Sequence, residues 1–289
     1  MFSTPFNLRT SAVPVAPVEQ TFTASGTWSC CPGTVCIEVI AVGGGGGGNG
    51  GGVCNIAGNR ANAGGQGGAG GSFVIATLTA GQVPSSTCVI IGAAGSGAAA
   101  TTTAGYGCAG TKGGDTCFGS CLVAGGGCAG ENGNPPPRLG GYSNVTYGGI
   151  NGCGGKPSVA VITTGTGTAT LGNCGGEMVA TCYTPQAALS GGGGQGGLIS
   201  GKGGGGAGAI AKDGFSNLYC GLGGAGAIGF TCCGITLGDG GNGANATDCA
   251  GSSATGYGAG GGGSSASLTC SPAAGNGGAG VLKVIQYFS

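Results

Sequence analysis

Apolar and polar residues alternate in three parts of the chain, and each alternation predicts β-strand. In the segment 21–42, TFTASGTWSCCPGTVCIEVIAV, residues Val35, Ile37, Val39 and Ala41 fall on one side of an extended backbone. Cys36, Glu38 and Ile40 fall on the other. A Pro-Gly pair at 32–33 interrupts the segment with a turn. The segment 72–91, SFVIATLTAGQVPSSTCVII, reads as two strands around a turn at 80–84, and VLKVIQYF at 281–288 is a further strand. No window of comparable length carries the 3.6-residue periodicity of an amphipathic helix.

Where the first strand ends, the pattern dissolves. Residues 41–52 read AVGGGGGGNGGG, and 79 of the 289 residues are glycine, the residue that loses most conformational freedom on folding. Either such runs are linkers or glycine is itself the packing residue. Flexible linkers are plain Gly/Ser tracts. Here the interspersed residues are often Ala, Val, Ile, Leu or Cys and strands recur between the tracts, which favours order.

Collagen requires glycine at every third position with abundant proline, and 11 prolines exclude it. The cadence is nevertheless partly three. Gly191, Gly194, Gly197, Gly203 and Gly206 share one register broken only by Ser200, and shorter runs occur at Gly107, Gly110 and Gly113 and at Gly223, Gly226 and Gly229. A left-handed helix with three residues per turn places every third residue on one face, so glycine there leaves that face bare. Bare faces approach at backbone distance and exchange N–H···O=C bonds between neighbouring runs. The expected fold is all-β with a polyglycine-II helix bundle: a glycine-rich layered slab flanked by a few β-strands, with essentially no α-helix.

Charge and composition narrow the partners. Only 6% of residues are charged, against roughly 25% in an ordinary soluble domain, and eight basic residues balance eight acidic ones. With no basic stripe to neutralise phosphates, no nucleic-acid partner is expected. A hydrophobic fraction of 40% and a mean hydropathy of +0.30 argue against simple disorder. The apolar runs fall short of the ~20 residues of a membrane span, so no membrane insertion is expected. Residues 1–20 lack the basic and apolar regions of a secretory signal. Seventeen cysteines point instead to an oxidised, extracellular setting, and their odd number leaves at least one free or paired between chains.

The chain has no histidine, which excludes Ser-His-Asp and Cys-His catalysis and histidine-bearing zinc sites. No two cysteines stand three positions apart, so zinc knuckles are absent from the sequence. Cys30, Cys31, Cys36, Cys117, Cys121, Cys232 and Cys233 are candidates for disulfide cross-linking or packing. GGLISGKG at 196–203 nearly matches a P-loop, with Lys202 in place, but Gly203 stands where a magnesium-binding Ser or Thr is needed. The carboxylates are scattered. No catalysis, cofactor or metal is expected. The sequons at Asn144 and Asn245 matter only in a eukaryotic secretory route.

Several motifs stand in a telling order. TFTASGTW is followed by the Pro-Gly turn, IEVIAV running into GGGGGGNGGG, then GGQGGAGGSFVIATLTAGQ with VIIGAAGSG, GGDTCFGSCLVAGGG, and GNGGAGVLKVIQYFS. Over residues 19–289 this resembles the glycine-rich domain of tailed-phage tail-fibre and fibre-tip proteins, although members of that family carry little cysteine. The resemblance implies layered polyglycine-II bundles whose variable loops contact the host surface. It also implies a non-enzymatic structural protein located on the virion or extracellularly. Residues 1–18, punctuated by proline, are then an arm that attaches to other virion proteins.

Candidate receptor-contact residues lie where glycine thins, within 131–147, 177–189 and 215–220: Pro135, Pro136, Pro137, Arg138, Tyr142, Tyr147, Tyr183, Phe215 and Tyr219. Their partner would be a host-surface glycan or protein. The chain is also expected to associate with copies of itself. Backbone packing buries little apolar area, at ~25 cal/mol per Å², against an ordering cost of ~1–2 kcal/mol per residue. Apolar faces of IEVIAV, SFVIATL and VLKVIQYF are the expected contacts, and the threefold order of a homotrimer comes from the resemblance to fibres. Alternatives are a capsid decoration or cement protein, a self-assembling filament subunit, and an ice-binding protein using flat faces and the run Thr101, Thr102, Thr103.

Overall fold

The computed structural model describes residues 15–52, 60–62, 64–102, 107–129, 159–161, 179–181, 210–212, 218–220, 224–244, 250–265 and 270–289. For 60–62, 159–161, 179–181, 210–212 and 218–220 the description covers the backbone alone. The cadence at 191–206 and residues 1–14 of the arm lie outside the described residues.

Two antiparallel four-stranded sheets pack face to face. The first has the order β1 (Val18–Phe22), β15 (Val281–Phe288), β3 (Thr34–Val42) and β5 (Phe73–Thr79). The second has the order β2 (Gly26–Ser29), β6 (Ser86–Ile90), β7 (Thr116–Phe118) and β8 (Leu122–Ala124). The expected alternation in β3 is realised: Ile37, Val39 and Ala41 are fully buried against a core that includes Trp28, Val89, Phe118 and Leu122 of the second sheet. Trp28 meets Phe118 edge to face, with ring centroids 5.3 Å apart. On the other side of the first sheet, Ile40, Val42, Phe73, Val281 and Ile285 are covered by a hairpin of β13 (Phe230–Cys232) and β14 (Ile235–Leu237). Val35, on the parity of Ile37, is half exposed.

The segment 72–91 does form two strands around a turn, a 3-10 turn at Ala80–Gln82. They do not pair with each other. The chain changes sheets at the turn, β5 joining β3 and β6 joining β2. That 3-10 turn is the helical element among the described residues. One physical premise for association is corrected here: the apolar faces of IEVIAV, SFVIATL and VLKVIQYF are largely consumed within the chain, by the second sheet and the β13–β14 hairpin.

Beyond the sheets run glycine-bearing tracts at 43–51, 64–72, 91–102, 107–115, 125–129, 224–229, 238–244, 250–256, 258–265 and 270–280. Their backbone groups bond between tracts, at a spacing of three residues. The tract 43–51 shows the rule. Gly44, Gly47 and Gly50 donate to Gly114, Thr111 and Cys108, while Gly45 and Gly48 donate to Gly278 and Gly275. Gly46 and Asn49 donate to Ala69 and Gln66. Its carbonyls accept from three further tracts: Gly44 from Gly127, Gly45 and Gly48 from Gly95 and Ala98, Gly46 and Asn49 from Gly261 and Ser264. All these bonds are 2.8–3.0 Å long. A period of three is what a threefold extended helix dictates, since each direction around its axis recurs every third residue.

The six neighbours also bond to one another and close a ring. Residues 64–72 bond 258–265 and 125–129; 125–129 bonds 107–115; 107–115 bonds 91–102; 91–102 bonds 270–280; and 270–280 bonds 258–265. Tract 43–51 is thereby enclosed, which explains its composition. A Cβ on Gly43 or Gly46 would run into the carbonyls of Gly125 or Cys128. One on Gly44 or Gly47 would strike those of Ala93 or Ser96, and one on Gly45 or Gly48 those of Ala259 or Gly262. Every direction is occupied by backbone, so every position but one is glycine. The exception, Asn49, uses its side chain as a substitute carbonyl, its Oδ1 accepting the Gly110 N–H at 2.7 Å. In the ring, Gly107, Gly110 and Gly113 face inward, the cadence visible in the sequence, while Gly260 to Gly263 of 258–265 abut the tracts 64–72, 270–280 and 238–244.

A buried hydroxyl joins sheets to bundle. Thr116 donates to the Val42 carbonyl at 2.7 Å, where β3 becomes tract 43–51, and accepts from Gly92 N–H at 3.0 Å, where β6 becomes tract 91–102.

Candidate functional site

The bonding register gives the bundle two unlike ends. Tracts alternate strictly in direction, so that residues 43, 72, 91, 115, 125 and 280 adjoin the sheets and residues 51, 64, 102, 107 and 270 lie at the far end. Connections at the sheet end are strands and tight turns, among them the positive-φ glycines Gly256 and Gly258 between two tracts. The stretches 53–63, 103–106, 130–223, 245–249 and 266–269 all connect tracts at the far end. Two of them meet there: β4 (Arg60–Asn62) pairs antiparallel with β11 (Ile210–Lys212), which also pairs β12 (Leu218–Cys220), while β9 (Val159–Val161) pairs β10 (Val179–Thr181) in parallel.

The candidate receptor-contact residues belong to the longest of these connections. Pro135, Pro136, Pro137, Arg138, Tyr142, Tyr147, Tyr183 and Phe215 lie outside the described residues. Tyr219 falls in β12, its backbone opposite Ala211. At the opposite end, Val18, the last residue of the expected arm, is already part of β1 and lies across from Gln286, on the side of the first sheet remote from the bundle.

Cys30, Cys31, Cys36, Cys88, Cys108, Cys117, Cys121, Cys232 and Cys233 form no disulfide. Alternation explains why Cys117 and Cys121 do not bridge. Cys121 packs against the core between the sheets and contacts the Gln82 carbonyl with its Sγ at 3.8 Å. Cys117 lies on the opposite side of β7 from buried Thr116 and Phe118; burial, Asp115 and Cys88 push its thiol pKa up. Cys30 packs on the same core, its Sγ on the Cys31 carbonyl at 3.6 Å, and the Cys31 N–H is bonded to Gln286. Cys36 stands opposite Tyr287. The expectation of cross-links is therefore unmet at these positions. Cys232 and Cys233 differ, because their sulfurs lie 3.0 Å apart.

That pair belongs to the densest chemical cluster among the described residues. The β13–β14 hairpin turns through Cys233 and Gly234, both with positive φ, 53° and 73°. Two left-handed residues in a two-residue loop match the twist of the flanking strands. Gly234 suits its place because its φ is positive, and a Cβ there would meet the Lys283 Nζ at 2.8 Å. Lys283, almost buried on β15, is paired with Glu19 of β1 at 2.7 Å. The Tyr287 hydroxyl, one turn of the pleat further along, donates to Glu38 of β3 at 3.0 Å. That bond, followed by partial burial and the nearby negative charge of Glu38, holds the phenol above its ordinary pKa. The Cys233 thiol is pushed up to about 11, first by its bond to Cys232, then by desolvation and the carboxylate of Glu38, with Lys283 opposing.

Sequence reasoning named both cysteines but missed Glu19, Glu38, Lys283 and Tyr287 as their neighbours. A weak signal existed. Glu38 shares its parity with Cys36 in β3, and Lys283 with Tyr287 in β15, so each pair had to occupy one face.

A search of curated proteins found no match. A family model described as a glycine-rich domain matches residues 19–287. That span takes in both sheets, the enclosed tract and all the connections at the far end, and the chain belongs to this glycine-rich domain family.

Proposed function

We propose that the chain is a non-catalytic virion structural protein of tail-fibre or fibre-tip type, in which a polyglycine-II bundle holds host-contacting loops at one end and an attachment arm at the other. The observation that carries this reading is the polarity of the bundle. Val18 and the last strand lie at the sheet end, whereas the connections of unequal length and composition leave from the far end. A scaffold whose tracts each bond several neighbours suits presentation of loops, because recognition segments gain when a rigid support removes their ordering cost. The motif order from TFTASGTW to VLKVIQYFS supports the same reading by resemblance. Its partners are then virion proteins at the arm, a host-surface glycan or protein at the loops, and other copies of itself in a homotrimer. Association must use surfaces other than the strand faces already buried, and the exposed Ile75, Ile90 and Ile228 are available.

Electron microscopy of particles that carry the chain tests this. Gold labels placed in turn at residue 1 and within 131–147 should mark the particle-proximal and outermost points of a projecting fibre. Both labels distributed over the shell would overturn the fibre assignment in favour of a decoration or cement protein.

A further inference from the structure

We propose that Cys232 and Cys233 are a modification site, a dithiol that closes to a disulfide between adjacent residues when it meets a low-molecular-weight disulfide such as oxidised glutathione. This proposal stands apart from the fibre assignment. It rests on three observations. The sulfurs are 3.0 Å apart, against the ~2.05 Å of a disulfide bond, so closure needs a movement of about 1 Å. Cys233 is exposed at the tip of a turn, where a small disulfide reaches it, while Cys232 packs at the edge of the cluster of Phe230, Ile235 and Tyr287. The turn is also clamped from below, since Gly234 sits directly over Lys283, which is held by Glu19.

The chemistry is an exchange in two steps. The Cys233 thiolate, its proton lost to solvent, attacks one sulfur of the reagent; a mixed disulfide forms and one thiolate leaves. Cys232 Sγ, as thiolate, then attacks Cys233 Sγ, and the second thiolate leaves. The protein loses two protons and two electrons, and the reagent is reduced to two thiols. The groups facing the pair are Glu38 on β3 and Lys283 on β15, with Glu19 of β1 behind the lysine. Because the Cys233 thiol resists ionisation, exchange is slow at neutral pH. It speeds up as the pH is raised above neutral.

The test uses the full chain, reduced and then exposed to excess oxidised glutathione, denatured in alkylating reagent, cut with pepsin and read by tandem mass spectrometry. The expected peptide is lighter by two hydrogens, takes no alkyl group at either cysteine, and yields no backbone fragment between them until it is reduced. In Cys232→Ser the ring cannot form, and Cys233 should retain one glutathione. Alkyl groups on both cysteines, a bridge from either to a third cysteine, or a lasting glutathione adduct in the unmodified sequence would each overturn the proposal.

Discussion

The sandwich and the glycine bundle lie end to end in one chain and obey opposite packing rules. In the sandwich, Trp28, Phe118, Ile37 and Leu122 fill the space between two sheets, and backbone bonding runs only within each sheet. In the bundle, backbone fills the space, and tract 43–51 bonds six neighbours around its axis. Removing atoms damages the first region by leaving a cavity. Adding atoms damages the second, because its partner surface is a carbonyl that has nowhere to go.

The sharpest test is Gly45→Ala. The new methyl would be driven into the Ala259 carbonyl, and separation of the two tracts would also cost the bonds on either side. We expect a loss of about 4 kcal/mol or more, or failure to fold, measured by chemical denaturation. A change within error would show that the enclosed tract is not packed as described. Trp28→Ala breaks the other region and should cost about 3–5 kcal/mol by the same measurement. Trp28→Phe should cost much less, because it also removes an indole N–H that is buried without a partner.

Thr116→Val keeps the shape at the junction but removes the bonds to the Val42 carbonyl and from the Gly92 N–H, for about 1–3 kcal/mol. Protection of those amides from hydrogen exchange should fall before that of β15. Smaller effects follow from pH. Tyr287 has its folded pKa raised by the bond to Glu38, so its contribution is complete below the ordinary tyrosine value and lost as pH rises through the folded one. Asp115 is the reverse case. Burial works to raise its pKa, but the bonds from Gly126 N–H and Lys112 outweigh it and leave the carboxylate below its ordinary value. Its contribution is present above about pH 4 and lost on acidification. Tyr287→Phe should flatten the alkaline limb of the denaturation midpoint, and Asp115→Asn the acidic limb. Gly81→Ala is the control. A methyl there meets nothing within 4 Å, and stability should stay within about 0.5 kcal/mol.

Much of the sandwich was legible because its information is local. Parity in β3 separates Ile37, Val39 and Ala41 from Cys36, Glu38 and Ile40 with no knowledge of partners. The change of sheet between β5 and β6 was not legible, since a short turn between strands looks alike whether they pair or part. For the bundle, the cadence at Gly107, Gly110 and Gly113 reveals a face but not what it faces. The ring around 43–51 is built from tracts as far apart in the chain as 64–72 and 270–280, and their contacts are backbone, which carries no sequence signature. The unbroken glycines at 43–48 were the one direct sign that this tract is enclosed on every side. The ion pair and hydroxyl around Cys233 were hidden for a similar reason. They depend on how the β13–β14 hairpin lies across the first sheet.

Because each direction around a tract recurs every third residue, the bundle also sets a rule for changes in length. One residue inserted into 107–115 rotates everything after it by about 120°, which swings Cys108 or Thr111-type side chains toward the enclosed tract and turns the bare face outward. Three residues inserted together restore the face and shift the bonds by one repeat. The tracts thus have something like a reading frame, written in side-chain directions instead of codons. Lengthening in the stretches at the far end is free of it, so those stretches can change in length while the bundle stays in phase.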